Sequence, residues 1–119
     1  MLDFRNIEIW KKSHKLTIEI YKATQKFPKE ETFGLTSQIR RAVSSIPTNI
    51  AEGCGRRTNA ELANFLNIAS GSASEVEYEI LLAKGVGYVT AEQCDAWTLE
   101  ISEIRSMLAA YMKRLRSEN

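Results

Sequence analysis

The sequence predicts an all-α protein, an antiparallel up-down four-helix bundle made by a single domain over residues 1–119. Three observations support this prediction. Apolar residues recur at spacings of three and four along four segments, as on one face of a helix. No segment alternates between apolar and polar residues as a half-buried strand does. The connections between segments are short, which favours antiparallel neighbours.

The first predicted helix covers residues 7–26 and carries two stripes. One stripe consists of Ile9, Leu16, Ile20, Ala23 and Phe27. A second, beside it, contains Trp10, His14 and Tyr21, and lysines supply the polar side. Pro28 is expected to end the helix, because the residue before a proline avoids the helical region.

The second predicted helix, residues 34–56, has two neighbouring arcs of different character. The core-facing arc is apolar and comprises Leu35, Ile39, Ala42, Val43, Ile46, Ile50 and Gly53. The adjacent arc, called the polar stripe below, comprises Gln38, Arg41, Ser45, Asn49, Glu52 and Arg56. Because an ordinary surface helix scatters its polar residues, this grouping indicates a segment contacted on more than one side.

Pro47 lies inside the second helix and removes the hydrogen bond to the Val43 carbonyl, at a cost of about 3 kcal/mol in an ordinary helix interior. The apolar arc continues on both sides of it, which predicts one kinked helix rather than two. We expect Ser44, Thr48 or a water molecule to satisfy the freed carbonyl.

The third helix is predicted to begin at a capping box, Thr58 to Glu61, and to end near Gly85 and Gly87. Its core arc contains Leu62, Phe65, Leu66, Ala69, Ala73, Val76 and Ile80. The opposite side is also partly apolar, with Ile68, Gly71, Tyr78 and Leu82. Two-sided apolarity in a small protein predicts a second contact surface, and the small residues 71–74 would let another helix approach closely.

The fourth helix is predicted to begin at a second capping box, Thr90 to Gln93. Its apolar residues then recur at spacings of three and four over three heptads, which is typical of a bundle seam. The predicted seam consists of Cys94, Trp97, Ile101, Ile104, Leu108, Tyr111 and Leu115.

Charge and composition exclude several functional classes. Sixteen basic and fifteen acidic residues give a net charge of +1, which argues against a dedicated nucleic-acid binder. The N-terminus has no apolar stretch of a signal peptide, and no run of residues is apolar enough for a membrane span. We therefore expect a cytoplasmic protein without a membrane partner, in which Cys54 and Cys94 are reduced core residues.

The sequence offers no arrangement of catalytic, cofactor-binding or metal-ligating residues. Di-iron bundles need Glu-x-x-His pairs on facing helices, and His14 is the single histidine of the chain. Glu75 and Glu79 share a helix face, but a lone carboxylate pair is a weak metal signal. The sequence thus predicts no enzyme, no cofactor and no metal.

One set of residues resembles a known family nearly from end to end. The matching positions are Phe4, Trp10, Phe27, Pro28, Glu31, residues 34–42, residues 45–53, Arg56, Phe65, Ala69, Gly71, Ser72 and Glu75. They resemble the bacterial four-helix-bundle family whose members are encoded, among other places, in intervening sequences of large-subunit ribosomal RNA genes. The resemblance implies a ring-like homopentamer without an established enzymatic activity. The family is similar in fold to the accessory variability protein of diversity-generating retroelements, a strongly basic pentamer that binds a reverse transcriptase and nucleic acid, whereas this chain is nearly neutral.

Two functions follow as alternatives. The favoured one is a self-assembling structural or adaptor protein, whose partners are further copies of the chain and, beyond them, another protein. Its expected interface combines the polar stripe (Gln38, Arg41, Ser45, Asn49, Glu52 and Arg56) with Ile68, Gly71, Tyr78 and Leu82. The alternative is a nucleic-acid-binding accessory protein that uses Lys11, Lys12, Lys15, Arg40 and Arg57. It is less favoured because the carboxylates of the third and fourth helices balance the basic residues.

Overall fold

Four helices form the protein in the computed structural model, which describes residues 2–118. They are α1 (Glu8–Thr24), α2 (Leu35–Cys54), α3 (Asn59–Gly85) and α4 (Ala91–Ser117). Short 3-10 turns at Phe4–Asn6 and Lys29–Glu31 precede α1 and α2. No strand occurs between residues 2 and 118, and the predicted all-α four-helix fold is confirmed.

Helices that follow one another in the chain pack side by side, and α4 closes the bundle against α1. Two hydrogen-bonded pairs give the relative direction of α1 and α2. Arg40 donates to the hydroxyl of Thr24 (2.8 Å), and the hydroxyl of Thr17 donates to the carbonyl of Val43 (3.1 Å). Residue numbers fall along α1 as they rise along α2, so these two helices run antiparallel. The bundle is elongated, with principal extents of 47 × 23 × 20 Å.

The side of α1 that is buried next to its apolar stripe carries hydroxyl groups rather than aromatic rings. Ser13, Thr17 and Thr24 are buried, whereas His14 and Tyr21 of the predicted second stripe are exposed. Of the second stripe, only Trp10 is half-buried and packs against the core. The short serine and threonine side chains can be buried because their hydroxyls donate to carbonyls of the preceding turn, as Thr24 does to the carbonyl of Ile20 (2.8 Å).

The helix α2 continues through Pro47 without interruption, as predicted, and its whole apolar arc is buried. The carbonyl of Val43, which Pro47 deprives of its donor, accepts a hydrogen bond from Thr17 of α1 (3.1 Å). The expectation that Ser44 or Thr48 satisfies this carbonyl was therefore wrong. The hydroxyl of Ser44 donates to the carbonyl of Arg41 instead (3.2 Å). The bend at Pro47 stays a prediction.

Gly53 allows α2 and α3 to approach closely near their junction. A Cβ atom on Gly53 would lie 2.8 Å from Cδ1 of Leu62 and 3.0 Å from Cβ of Phe65. Both distances are shorter than ordinary van der Waals contacts. Further along, Ser45 of α2 meets Ser72 of α3, so this pair of helices is antiparallel as well.

The N-cap hydrogen bond of each predicted capping box is present. The hydroxyl of Thr58 accepts from the N–H of Glu61 (3.1 Å), and the hydroxyl of Thr90 accepts from the N–H of Gln93 (3.1 Å). They fix the starts of α3 and α4 after connections of only a few residues.

The predicted α4 seam is buried from Cys94 to Leu115 with one difference. Tyr111 is only half-buried, and Met112 is buried beside it. The flexible methionine fills the position near the open end of the bundle, where the hydroxyl of Tyr111 stays near the surface.

Candidate functional site

The outer side of α3 exposes several large apolar side chains together. Tyr78 is 61% exposed, Leu81 59% and Ile68 46%. Leu82 is 36% exposed, and Gly71 lies among them with no atom within 4 Å of the place where its Cβ would be. We call Ile68, Gly71, Tyr78, Leu81 and Leu82 the α3 outer face. No other element within residues 2–118 covers these side chains, and Leu81 extends the face beyond the residues that the sequence pattern selected.

The middle of the polar stripe is occupied by hydrogen bonds within the chain. The hydroxyl groups of Ser45 and Ser72 are 2.8 Å apart, and Asn49 donates to both the hydroxyl (2.9 Å) and the carbonyl (2.8 Å) of Ser45. These contacts join α2 to α3. The Ser45 hydroxyl and the Asn49 amide nitrogen are therefore already engaged, so these residues are weaker interface candidates than their position in the stripe suggested.

The ends of the polar stripe are more accessible. Glu52 and Arg56 form an exposed ion pair (3.0 Å), and the Arg56 guanidinium also lies over the ring of Phe65 at 4.8 Å. Gln38 and Arg41 are exposed. In residues 2–118 neither makes a side-chain hydrogen bond or ion pair within the chain, so these two keep free polar groups for a partner.

A buried carboxyl group lies on the side of α3 that faces the bundle. Glu79 is only 4% exposed, and its Oε1 atom has no hydrogen-bond partner. The pKa of Glu79 is raised from 4.5 to about 7, mainly by burial and in addition by the negative charge of Glu75, while the positive charge of Arg41 opposes both effects. Glu79 therefore changes its protonation near neutral pH. Sequence periodicity did not identify Glu79 as buried, because it assigns a charged residue next to a core arc to the protein surface.

The lysines proposed as nucleic-acid contacts take part in ion pairs on the surface of the bundle. Lys11 pairs with Glu8 (3.3 Å) and Lys15 with Glu19 (3.9 Å) within α1. Lys12 reaches across to Glu103 of α4 (2.7 Å). Such exposed pairs contribute about 0–1 kcal/mol each. They reduce the positive charge that this face offers to a ligand, but pairs this weak can be displaced.

Arg40 has a structural role that the sequence did not reveal. Its guanidinium donates to the Thr24 hydroxyl (2.8 Å) and to the Tyr21 carbonyl (3.1 Å), and it lies over the Tyr21 ring at 4.9 Å. It thus satisfies acceptors in the last turns of α1. Arg57, by contrast, is exposed and makes no hydrogen bond or ion pair with residues 2–118.

The residues that could carry metal or acid–base chemistry are dispersed. Within residues 2–118 no group of three or more His, Cys, Asp or Glu side chains is placed to hold a metal ion. The His14 ring is exposed and stacks on Trp10, with the ring centroids 4.8 Å apart. Cys54 and Cys94 are buried free thiols, and burial raises the pKa of Cys54, which keeps it in the unreactive thiol form.

Several exposed apolar side chains outside the α3 outer face escaped the sequence patterns, and the two most exposed are Phe33 and Leu99. Phe33 is 98% exposed in the connection to α2, and Leu99 is 70% exposed on α4. Isolated apolar residues of this kind are common on protein surfaces. They differ from the α3 outer face in being single, and Leu99 serves below as a matched control.

None of the described helices is both long and apolar enough to cross a membrane. The fold and its surfaces instead define a small four-helix-bundle protein with an uncovered apolar helix face. A model of the 23S rRNA-intervening sequence proteins matches residues 5–110, and the chain belongs to this family.

The structure is similar to a crystal structure from Bacteroides thetaiotaomicron, described as a protein with unknown function from the S23 ribosomal protein family. The two are 29% identical and superpose with a TM-score of 0.81, over 88% of this chain and 95% of the other. No curated protein matches the chain.

Proposed function

We propose that this protein is a non-enzymatic, self-assembling structural or adaptor protein of the cytoplasm whose copies form a ring-like homopentamer. The observation that supports the proposal most is the α3 outer face. Tyr78 and Leu81 are each more than half exposed there, Leu82 lies in the same turn, and Ile68 lies about 15 Å further back along the helix. Several exposed apolar side chains on one side of a helix mark a protein interaction site more often than single ones do.

Further copies of the chain are suitable occupants of this face. The open space at Gly71 lets the backbone of another helix approach closely. The free side chains of Gln38 and Arg41 would supply the polar rim that surrounds an apolar interface. If the α3 outer face of one copy contacts a different surface of the next copy, the interface is heterologous. Such an interface gives a closed ring when the rotation between successive copies adds up to a full turn.

Paired charge-insertion variants test the role of the α3 outer face. Tyr78→Arg places a charge in the proposed interface, and Leu99→Arg places the same charge at an equally exposed site on α4. Sedimentation equilibrium at micromolar concentration should show a reduced mass for Tyr78→Arg and the wild-type mass for Leu99→Arg. Circular dichroism should show unchanged helicity in both. An unchanged mass for Tyr78→Arg would refute the interface.

The alternative proposal is a nucleic-acid-binding accessory protein. It is supported by the free Arg57 and by Lys11, Lys12 and Lys15, whose weak ion pairs phosphate groups could displace. Repetition around a ring would add avidity. Binding of this kind should weaken steeply with salt. The logarithm of the binding constant should fall against the logarithm of the salt concentration with a slope of about 0.7–0.9 for each phosphate contact. Absence of RNA binding at low salt in a filter-binding assay would exclude it.

A further inference from the structure

A cavity of about 350 Å³ lies at the end of the bundle where α2 ends and α3 begins, next to the last turns of α4. We call it the end cavity. Three arginines line it, Arg56, Arg57 and Arg114, together with Thr58, Asn59 and Tyr111. Glu118 is the one acidic residue of this lining. From this arrangement we propose that the end cavity binds a phosphate monoester.

The charge balance of the end cavity favours an anion. Arg56 is matched by Glu52 (3.0 Å). Neither Arg57 nor Arg114 forms an ion pair with any residue between 2 and 118. Even if Glu118 offsets one of them, the charges of residues 2–118 leave one positive charge unmatched in a concave site, where the field is stronger than on an open surface.

Two of the arginines are held in place before any ligand binds. The Arg56 guanidinium lies over the Phe65 ring at 4.8 Å, and the Arg114 guanidinium lies over the Tyr111 ring at 4.7 Å. Stacking on an aromatic ring restricts a long side chain. One N–H group of Arg56 donates to Glu52 (3.0 Å), whereas the guanidinium of Arg114 donates no hydrogen bond within residues 2–118 and stays available. Planar guanidinium groups bind phosphate oxygens through paired hydrogen bonds. The end cavity is thus preorganised for a phosphoryl group.

The size of the end cavity indicates what carries the phosphoryl group. A volume of about 350 Å³ lies in the range of small-molecule sites and leaves room for a sugar or similar group beside the phosphate. The start of α3 adds the partial positive charge of a helix N-terminus. The phosphate could belong to a free nucleotide or to the 5′ end of an RNA, and the experiment below separates these two sources.

Calorimetric titration of the full chain tests the assignment with two matched pairs of substitutions. Arg57→Gln with Arg114→Gln removes the two arginines of the end cavity that form no ion pair with residues 2–118. Lys113→Gln with Arg116→Gln removes two charges from the same end of α4, at exposed residues that do not line the cavity. The probes are inorganic phosphate, adenosine monophosphate, and a short RNA with a 5′-phosphate or a 5′-hydroxyl.

The first pair should weaken binding of adenosine monophosphate or of the 5′-phosphorylated RNA by about tenfold or more, and the second pair by less than about twofold. A nucleotide source predicts binding of adenosine monophosphate with no preference between the two RNAs. An RNA-end source predicts a preference for the 5′-phosphorylated RNA that the first pair abolishes. Arg57→Gln alone, at an exposed residue that makes no hydrogen bond or ion pair with residues 2–118, shows the effect if the pair perturbs folding.

Two results would overturn the proposal. Equal weakening by both pairs would mean that the anions respond only to overall charge. Absence of binding by all the probes at millimolar concentration would mean that the end cavity is no phosphate site. Because the titrations do not depend on the α3 outer face, failure here would leave the assembly proposal standing.

Discussion

The hydroxyl of Thr17 lies 3.1 Å from the carbonyl oxygen of Val43, the acceptor that Pro47 deprives of its helical donor. The same hydroxyl lies 2.7 Å from the carbonyl of Ser13, so its single proton is shared between the two helices. A proline inside α2 is thereby tolerated because a neighbouring helix supplies the missing hydrogen bond. One hydrogen bond therefore both joins α1 to α2 and replaces the bond that α2 loses at Pro47.

A double-mutant cycle tests this relationship. Thr17→Val removes the hydroxyl and leaves a buried carbonyl unpaired, so we expect a loss of about 1–3 kcal/mol in the free energy of unfolding. Pro47→Ala restores an N–H donor to Val43. In that background Thr17→Val should cost about 1 kcal/mol less, measured by denaturant titration. Strictly additive effects of the two substitutions would show that Thr17 does not serve the Val43 carbonyl.

Two glycines give opposite expectations for the same substitution. Gly53→Ala forces a Cβ against Phe65 at 3.0 Å and should destabilise the fold by about 1–3 kcal/mol. Gly71→Ala meets open space in α3 and should stabilise the isolated chain by up to about 1 kcal/mol, the difference in helix propensity. Thermal unfolding of both variants under dilute conditions checks the contrast. Equal effects on stability would contradict the assigned packing of α2 on α3.

The ionisation of Glu79 should make stability depend on pH. Its pKa is about 7 in the folded chain, against 4.5 for the free group. Below pH 4.5 the carboxyl is protonated in both states and contributes nothing to the difference. Between about 4.5 and 7 the unfolded chain ionises first, so the free energy of unfolding falls as the pH rises.

Glu79→Gln cannot ionise, so its free energy of unfolding should no longer fall between about pH 4.5 and 7. At pH 8 it should be more stable than the wild type by about 1–3 kcal/mol, the cost of a buried charged group without a partner. The matched control is Glu30→Gln, at an exposed carboxylate without an ion pair, which should keep the wild-type dependence. Urea titrations from pH 5 to pH 8 at one chain concentration measure both. A wild-type pH profile in Glu79→Gln would rule out the buried charge as its source.

The sequence predicted the elements of this fold well because helical periodicity alone determines which residues share a face. Ile39, Val43 and Ile46 follow that period and are fully buried, and Thr58 and Thr90 cap the helices that follow them. Such features depend on residues within four positions of one another. The exposure of the apolar side of α3 follows from the same pattern once four helices have covered the other sides.

The features that escaped prediction depend on how two helices face each other. Arg40 was considered for nucleic acid, but the end of α1 lies next to it and binds it. The burial of Glu79 and the donation from Thr17 likewise require the relative rotation and register of neighbouring helices. Single-helix patterns do not contain that information. The end cavity is lined by residues of three separate helices, so patterns within single helices do not predict it either.

Self-assembly through the α3 outer face is the central claim, and the mass of the native protein tests it most directly. Native mass spectrometry and light scattering of the wild-type protein at micromolar concentration should give about five times the chain mass of 13.5 kDa. A mass of one chain under these conditions would contradict the claim and leave the exposed side chains of Ile68, Tyr78 and Leu81 as ordinary surface residues.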